Sequence, residues 1–314
     1  MGADVCGFND PSNEELCLRW QQLGAFHPFF RNHNSDGLPP QDPCQWVSVE
    51  IATRVSNLFR YQHLPFLYTL HFQASLKGGT VIRPLFFEFP NDFNTHDLNY
   101  QFLWGSSLMV IPVLDPGVDN VRAYFPIDSV WYSISHANQY GSEYFSGYYN
   151  LNAPRGSIIV KQWPGLTTKE SRRNPFQLTA ALDPKTLTAE GQLYWDDGES
   201  IISNFDSHQF YHFEFTIKIT SEHKGNLTII RKHTPNNTSI ISLPPLSIIE
   251  ILGYNTTPTS NNYLNIQING KYLNIKNSEI QINLNKTKKY LKILSPVLIN
   301  LNDNKQDVWN IEWF

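Results

Sequence analysis

Charge is scarce in this chain and long apolar runs are missing. Of 314 residues 17% are charged, with 24 Lys and Arg against 28 Asp and Glu, for a net charge of −4. Nothing is basic enough to track a phosphate backbone, which excludes nucleic acid as a partner. No run of apolar residues reaches the length of a membrane span, and Met1 runs straight into Gly-Ala-Asp, so this sequence shows no signal peptide. Cysteines number three. What the chain does have is 41% hydrophobic and 14% aromatic residues, enough for two or three globular domains with sizeable cores. The aromatic surplus suits sugar-binding surfaces but more often fills the cores of β-sandwiches.

Polar chemistry is densest between Gly2 and Asn34. Gly2 to Cys6 can form a short buried strand that ends at a Gly-Phe-Asn-Asp-Pro turn. Ser12 and Glu15 have capping-box spacing, and Leu16, Trp20 and Leu23 recur at helical spacing, which predicts an amphipathic helix over Asn13 to Leu23. Phe26 to Arg31 supplies a second apolar strand, with Arg31, Asn32, His33 and Asn34 at its end. Asp4 and the Arg-Asn-His-Asn run therefore sit near the ends of two strands joined by a helix. In a β/α barrel that is the face where active sites are built.

Further on, Asp42 to Trp46 is a loop entering a long helical pattern. Val55, Leu58, Phe59 and Phe66 share one face, with Arg54 and Arg60 left to the other. Pro65 should kink this helix or begin a second one, and Gly78-Gly79 should end it. From Thr80 the period changes to short runs at Val81–Phe87, Leu108–Leu114 and Val121–Phe125, an all-β pattern. Tyr140 to Tyr149 reads as either a solvent loop or a strand pair. Asp196-Asp197-Gly198 is a hairpin signal after Leu193-Tyr194-Trp195, and Tyr211 to Ile219 alternate as a half-buried strand. His208 and His212 have the spacing of helical zinc ligands, but on a strand that spacing separates them, so no metal site is expected. Leu264, Ile266 and Ile268 lead into a second hairpin at Asn269-Gly270, and Ile280, Ile282 and Leu284 form a later strand.

Several of these segments resemble glycoside hydrolase family 31, in its lysosomal α-glucosidase, maltase-glucoamylase and sucrase-isomaltase group. The resemblance rests on Gly-Ala-Asp-Val-Cys-Gly-Phe, a Cys eleven residues after Cys6, Arg-Trp-x-Gln-Leu-Gly-Ala-Phe and Pro-Phe-x-Arg-Asn-His-Asn. It continues through Arg60-Tyr-Gln-His-Leu-Pro-Phe-Leu-Tyr68, Arg83-Pro-Leu-Phe-Phe-Glu88, Gln101-Phe-Leu-Trp-Gly105 and Trp195-Asp-Asp-Gly-Glu-Ser200. It is strong over the first two-thirds of the chain and weak over the last third. One departure is Arg155 to Lys161, where Lys161 replaces the usual Pro of a loop.

The resemblance implies a mixed α/β plus all-β fold. Residues 1–79 would be the C-terminal strands and helices of a (β/α)8 TIM barrel, 80–165 a proximal β-sandwich and 166–314 a distal β-sandwich. It implies a disulfide between Cys6 and Cys17, worth about 2–3 kcal/mol for so short a loop, and leaves Cys44 as a buried free thiol. The family works with two carboxylic acids and water, so no cofactor or metal is expected. Its nucleophile stands in a Trp-x-Asp-x-Asn-Glu motif and its acid/base in a Gly-Asp-Asn motif. Neither occurs in these 314 residues. Both precede the segment matching Gly2, so the chain reads as a fragment whose catalytic pair and missing N-terminal half of the barrel lie upstream. Carried over residue by residue, the substrate-binding set is Asp4 in the floor of a sugar pocket, Phe8 stacking at its entrance, and Arg31 with His33 hydrogen-bonding to the pocket and the sugar. For Asp4 the residues alone allow a plain ion pair with Arg31 or a cap on loop amides, and for His33 a satisfied strand-end histidine. The substrate would be an α-glucoside or oligosaccharide with terminal α-linked glucose. A lysosomal or secreted location would fit the acceptor patterns at Asn226, Asn236, Asn237, Asn255 and Asn285. The competing reading is a non-catalytic carbohydrate-binding or interaction protein derived from the family.

Overall fold

The computed structural model describes residues 2–134, 140–152, 167–221, 224–238, 241–255, 264–273, 280–285 and 288–314. The departure at Arg155 to Lys161 lies outside the described residues. The chain divides into two units, one built mainly from residues 1–129 and 144–164, the other mainly from 165–314 together with 130–133 and 140–143.

The first unit begins with a helix between two extended segments. Helix α1 spans Glu14–Gly24. Its cap is Asn13, whose side chain accepts from the Leu16 amide at 3.0 Å, not the predicted Ser12. Ser and Asn are about equally good caps, and the one-residue shift places Glu14 and Glu15 in the first turn, against the helix dipole. The two predicted strands contract to a single parallel bridge between Val5 and Asn32. Pro28 lacks an amide to donate, and the chain at residues 26–30 turns instead of extending. Gly24 is where α1 approaches these segments most closely: a Cβ there would meet Val5 Cγ2 at 2.7 Å and Phe30 Cε2 at 2.8 Å.

Helices α2 (Val47–Gln62) and α3 (Leu64–Lys77) follow. Pro65 starts α3 instead of kinking one long helix, and Gly78 caps α3 at φ 75°. The buried stripe of α2 is Val49, Ala52, Ser56 and Phe59, so Val55 and Leu58 lie beside the core face and do not form it. Val49 and Ala52 join Val5, Cys6, Cys17 and Leu18 in one cluster. Arg60, assigned from the sequence to the outer face, turns inward. Its guanidinium donates to the carbonyls of Ala25 (2.7 Å), His27 (2.5 Å) and Pro28 (3.1 Å). Cys44 is exposed, not buried. It sits in a 3-10 turn capped by Asp42, while the neighbouring Trp46 packs against the cluster in its place.

The β pattern after Thr80 is interrupted. Strand β1 stops at Ile82–Pro84, and Leu85–Glu88 is a helical turn, α4, not the continuation of a strand. Pro84 has no amide for the ladder but is favourable at a helix start. Strands β2 (Phe102–Trp104) and β3 (Leu108–Val110) complete a three-stranded antiparallel sheet. The indole of Trp104, fully buried, donates to the Phe26 carbonyl at 2.7 Å and fastens this sheet to the segment after α1. Strand β4 (Asn120–Phe125) pairs with β7 (Gly147–Asn152), and two-residue strands β5 (Trp131–Tyr132) and β6 (Glu143–Tyr144) form a separate two-stranded sheet. The Tyr140 to Tyr149 stretch is thus mostly strand.

The second unit holds a six-stranded and a four-stranded sheet. The first has the order β14 (Lys271–Leu273), β13 (Ile266–Ile268), β17 (Val308–Trp313), β11 (Lys224–His233), β10 (Tyr211–Ser221), β9 (Thr188–Trp195). The second runs β15 (Ile280–Asn285), β16 (Lys288–Ile299), β12 (Leu246–Leu252), β8 (Phe176–Ala181), with β8 and β12 parallel. Alternate residues of both sheets, among them Phe213, Ile217, Ile229, Ile249, Ile251 and Ile293, meet in one hydrophobic core. The alternation read over Tyr211 to Ile219 is the inward face of β10, and Asn269-Gly270 turns β13 into β14 with both residues at positive φ. Asp196-Asp197-Gly198 is not a hairpin turn. Trp195 pairs with Tyr211, so these residues open a long loop. The reason is burial: Asp196 is fully buried, accepting from the Tyr194 hydroxyl at 2.7 Å and the Gly198 amide at 2.8 Å.

Candidate functional site

Asp4 and Arg31 meet where the two extended segments of the first unit run side by side. The Val5 amide donates to the Arg31 carbonyl at 3.0 Å. This brings the two chains side by side, and Arg31 Nε (3.1 Å) and Nη2 (2.5 Å) both reach Asp4 Oδ1. The plain ion pair allowed for Asp4 is therefore present. It uses one carboxylate oxygen; Asp4 Oδ2 and Arg31 Nη1 have no protein hydrogen bond among the described residues.

A tight turn then reverses the chain. Cys6 at φ 71° and Gly7 at φ 94° are consecutive left-handed residues, and the Gly7 amide closes on the Asp4 carbonyl at 3.0 Å. For Cys6, which carries a Cβ, that conformation costs roughly 1–2 kcal/mol. The Cys6–Cys17 disulfide, fully buried, holds it against α1. The turn carries Phe8 over His33, with ring centroids 5.4 Å apart and planes tilted by 35°. The Ser35 amide secures this arrangement by donating to the Phe8 carbonyl at 3.0 Å. Phe8, Arg31 and His33 are exposed and Asp4 partly so.

Behind these four side chains lies a residue that the motifs did not single out. Gln41 is only 6% exposed. Its side-chain amide donates to the carbonyls of Val5 (3.0 Å) and Gly7 (3.1 Å) and to Asn32 Oδ1 (3.1 Å). Asn32 Nδ2 returns a bond to the Gln41 carbonyl at 2.8 Å. Nothing local marks Gln41 in the sequence; its partners are nine to 36 residues away. Nearby, His27 stands edge-on to Trp20, and burial, then the charge of Arg60, lowers its pKa.

Chemically, the edge offers a carboxylate acceptor, guanidinium donors, an imidazole and an aromatic face. That set matches the vicinal hydroxyls and apolar face of a pyranose. No group of three or more His, Cys, Asp or Glu could hold a metal among the described residues. His208 and His212 face different partners, Asp196 Oδ2 at 3.2 Å and Gln192 Oε1 at 3.2 Å. Of the glycosylation candidates, Asn236, Asn237 and Asn255 are exposed, whereas Asn226 lies in β11 with its amide bonded to Thr228 at 3.2 Å. The patterns at Asn237, Asn255 and Asn285 run into positions outside the described residues. No helix among the described residues is long and apolar enough to cross a membrane.

The bridged segments on either side of α1 and the β-rich sheets that follow make this a mixed α/β chain with β-rich C-terminal parts. Residues 1–70 match the glycosyl hydrolases family 31 TIM-barrel domain, and residues 78–162 match the glycosyl hydrolase family 31 C-terminal domain. The chain is 39% identical over 281 residues to an alpha-glucosidase of Schizosaccharomyces pombe, covering 86% of this chain and 27% of that protein. It is 43% identical over 227 residues to the lysosomal alpha-glucosidase of Rattus norvegicus, covering 64% of this chain and 24% of that one. The crystal structure of a glucosidase II alpha subunit bound to Glc1Man2 shares the fold with a TM-score of 0.79 at 22% identity, covering 99% of this chain and 34% of that chain. The chain belongs to glycoside hydrolase family 31. It spans about a quarter of the length of the relatives it matches.

Proposed function

We propose that this chain is the C-terminal part of a retaining α-glucosidase that releases terminal α-linked glucose from malto-oligosaccharides or glycogen-like substrates. Residues 1–79 are the last strands and helices of its (β/α)8 barrel, 80–165 a proximal β-sandwich and 166–314 a distal one. The observation that carries this reading is the convergence of Asp4, Phe8, Arg31 and His33 on one edge. Retention needs two carboxyl groups about 5–5.5 Å apart. Asp4 is a single carboxylate already engaged with Arg31, so its role is to accept from sugar hydroxyls, and the nucleophile and acid/base come from upstream sequence. Arg31 fixes the orientation of Asp4, His33 donates to or accepts from a hydroxyl, and Phe8 covers the apolar face of the ring. The exposed acceptor asparagines and the disulfide support a lysosomal or secreted, lumenal setting.

The competing reading is a non-catalytic carbohydrate-binding or interaction protein derived from the family. Peptide mapping of the native protein by mass spectrometry, paired with turnover of 4-nitrophenyl α-glucoside, separates the two. Upstream peptides bearing the nucleophile motif, with turnover abolished by Asp4→Ala, are the expected result. A native product that lacks them and turns nothing over sinks the hydrolase.

A further inference from the structure

We infer that Gln41 is the positioning residue of this pocket: one buried side-chain amide sets the register of all four proposed sugar-binding side chains. The inference rests on the pocket reading above and deepens it. The partners of Gln41 carry the argument. It grips the carbonyls of Val5 and Gly7, which are the residues immediately inside Asp4 and Phe8. It also grips Asn32, the residue between Arg31 and His33, through both its own amide and its carbonyl. Each pocket side chain thus lies one residue from a Gln41 hydrogen bond. Backbone contacts between the two segments are few, a single parallel bridge with Val5 N–H to Arg31 and Ser35 N–H to Phe8. A ladder this short does not fix register on its own.

The chemistry favours glutamine over other polar residues at this point. The two N–H groups of the Gln41 amide are shared among two carbonyls and an amide oxygen, and a buried acceptor left without a donor costs free energy. A carboxylate would present oxygen to oxygen. The Cys6–Gly7 turn is left-handed at both residues, and the Val5 and Gly7 carbonyls that bracket it are the atoms Gln41 holds. Releasing them lets the turn relax, moving Asp4 and Phe8 away from Arg31 and His33 without touching any of the four.

The test uses the native full-length protein and titrates it with 1-deoxynojirimycin as a glucose-shaped probe. The variants are Gln41→Met, which keeps the volume and removes the donors, Asp4→Ala, and the two combined. Gln41→Met should weaken the probe about 10-fold or more, since it leaves buried carbonyls without their donor. In the Asp4→Ala background it should add less than in the parent, because part of its effect passes through that carboxylate. A purely structural role would lower stability equally in both backgrounds and leave the affinity of the folded protein unchanged. If Asp4→Ala abolishes binding and Gln41→Met binds like the parent, the positioning role is wrong and the pocket stands. If the parent does not bind and Asp4→Ala changes nothing, the pocket reading falls and this inference falls with it.

Discussion

Asp4 and Arg31, 27 residues apart in the chain, share an ion pair in which two guanidinium nitrogens address one carboxylate oxygen. The Arg31 side chain is 51% exposed and the Asp4 side chain 24%. Solvent therefore screens the pair, and its contribution to folding is under about 1 kcal/mol. Its value is in orientation. Arg31→Ala should leave the melting temperature nearly unchanged while removing probe binding. A melt and a titration on the same sample check this, and a large loss of stability would show that the pair is structural.

The disulfide should behave in the opposite way. Cys6 and Cys17 are fully buried, and the bond closes an 11-residue separation against α1. Replacing both with serine should cost about 2–3 kcal/mol, read as a fall in the denaturation midpoint. The Cys6 turn would lose its tether as well, so weaker probe binding should accompany the loss.

Arg60 is a stability residue that the sequence hides. It lies on α2, yet its guanidinium serves the carbonyls of Ala25, His27 and Pro28, which follow α1. Arg60→Ala leaves these carbonyls without that donor and should cost about 2–3 kcal/mol. Arg60→Lys should rescue little, since a single ammonium cannot reproduce the fork. Equal midpoints for Arg60→Lys and the parent would contradict this.

What could be read beforehand was local. Pro65 and Gly78 mark the start and end of α3 through their own backbone limits, Asn269-Gly270 specifies a turn, and the Tyr211 to Ile219 alternation specifies a half-buried strand. Asp4, Phe8, Arg31 and His33 are proposed as sugar-binding residues through motif resemblance, not through their spacing. What escaped was long-range. Gln41 is an ordinary residue in sequence and Arg60 stands out only as part of a motif, and the roles of both come from partners brought near by the fold. Cys44 and Asp196 were misjudged for the same reason. Whether each is buried depends on a neighbour, Trp46 in one case and Tyr194 with His208 in the other.

Histidines of the first unit should make its stability depend on pH. Burial lowers the pKa of His63, which stacks on Phe59 and hydrogen-bonds to its carbonyl, and burial likewise lowers His27 and His71. A lowered folded-state pKa means that the unfolded chain binds more protons. The stability is thus fully present above the unfolded value of 6.5 and is lost as pH falls toward the folded-state values. Asp92, held low by donors from Ile127, Tyr124 and Asn94 despite its burial, acts only below 3.8. Denaturation midpoints should therefore decline in two separate windows. His63→Gln should flatten the upper one and leave the lower one intact; an unchanged upper slope would rule His63 out.

Asp196 gives the sharpest test of the second unit. Its buried carboxylate accepts from the Tyr194 hydroxyl and the Gly198 amide, and it faces His208 at 3.2 Å and Arg172 at 3.8 Å. Arg172 in turn lies over the Trp195 ring at 3.8 Å. The carboxylate thus anchors both ends of the loop between β9 and β10, near Gly198 at its start and His208 at its close. Removing it leaves the donors and a partly exposed cationic partner uncompensated, where breaking a fully buried pair typically costs about 3–5 kcal/mol. The lower end, about 3 kcal/mol, applies here because Arg172 is partly exposed. Asp196→Ala should lower the midpoint by that amount and make the loop cleavable by a protease. Asp196→Asn keeps one acceptor oxygen, enough for the Tyr194 hydroxyl or the Gly198 amide but not both, and should recover only part of the loss. If cleavage appears elsewhere first, or if Asp196→Ala is as stable as the parent, the loop is held by its aromatic contacts and not by the carboxylate.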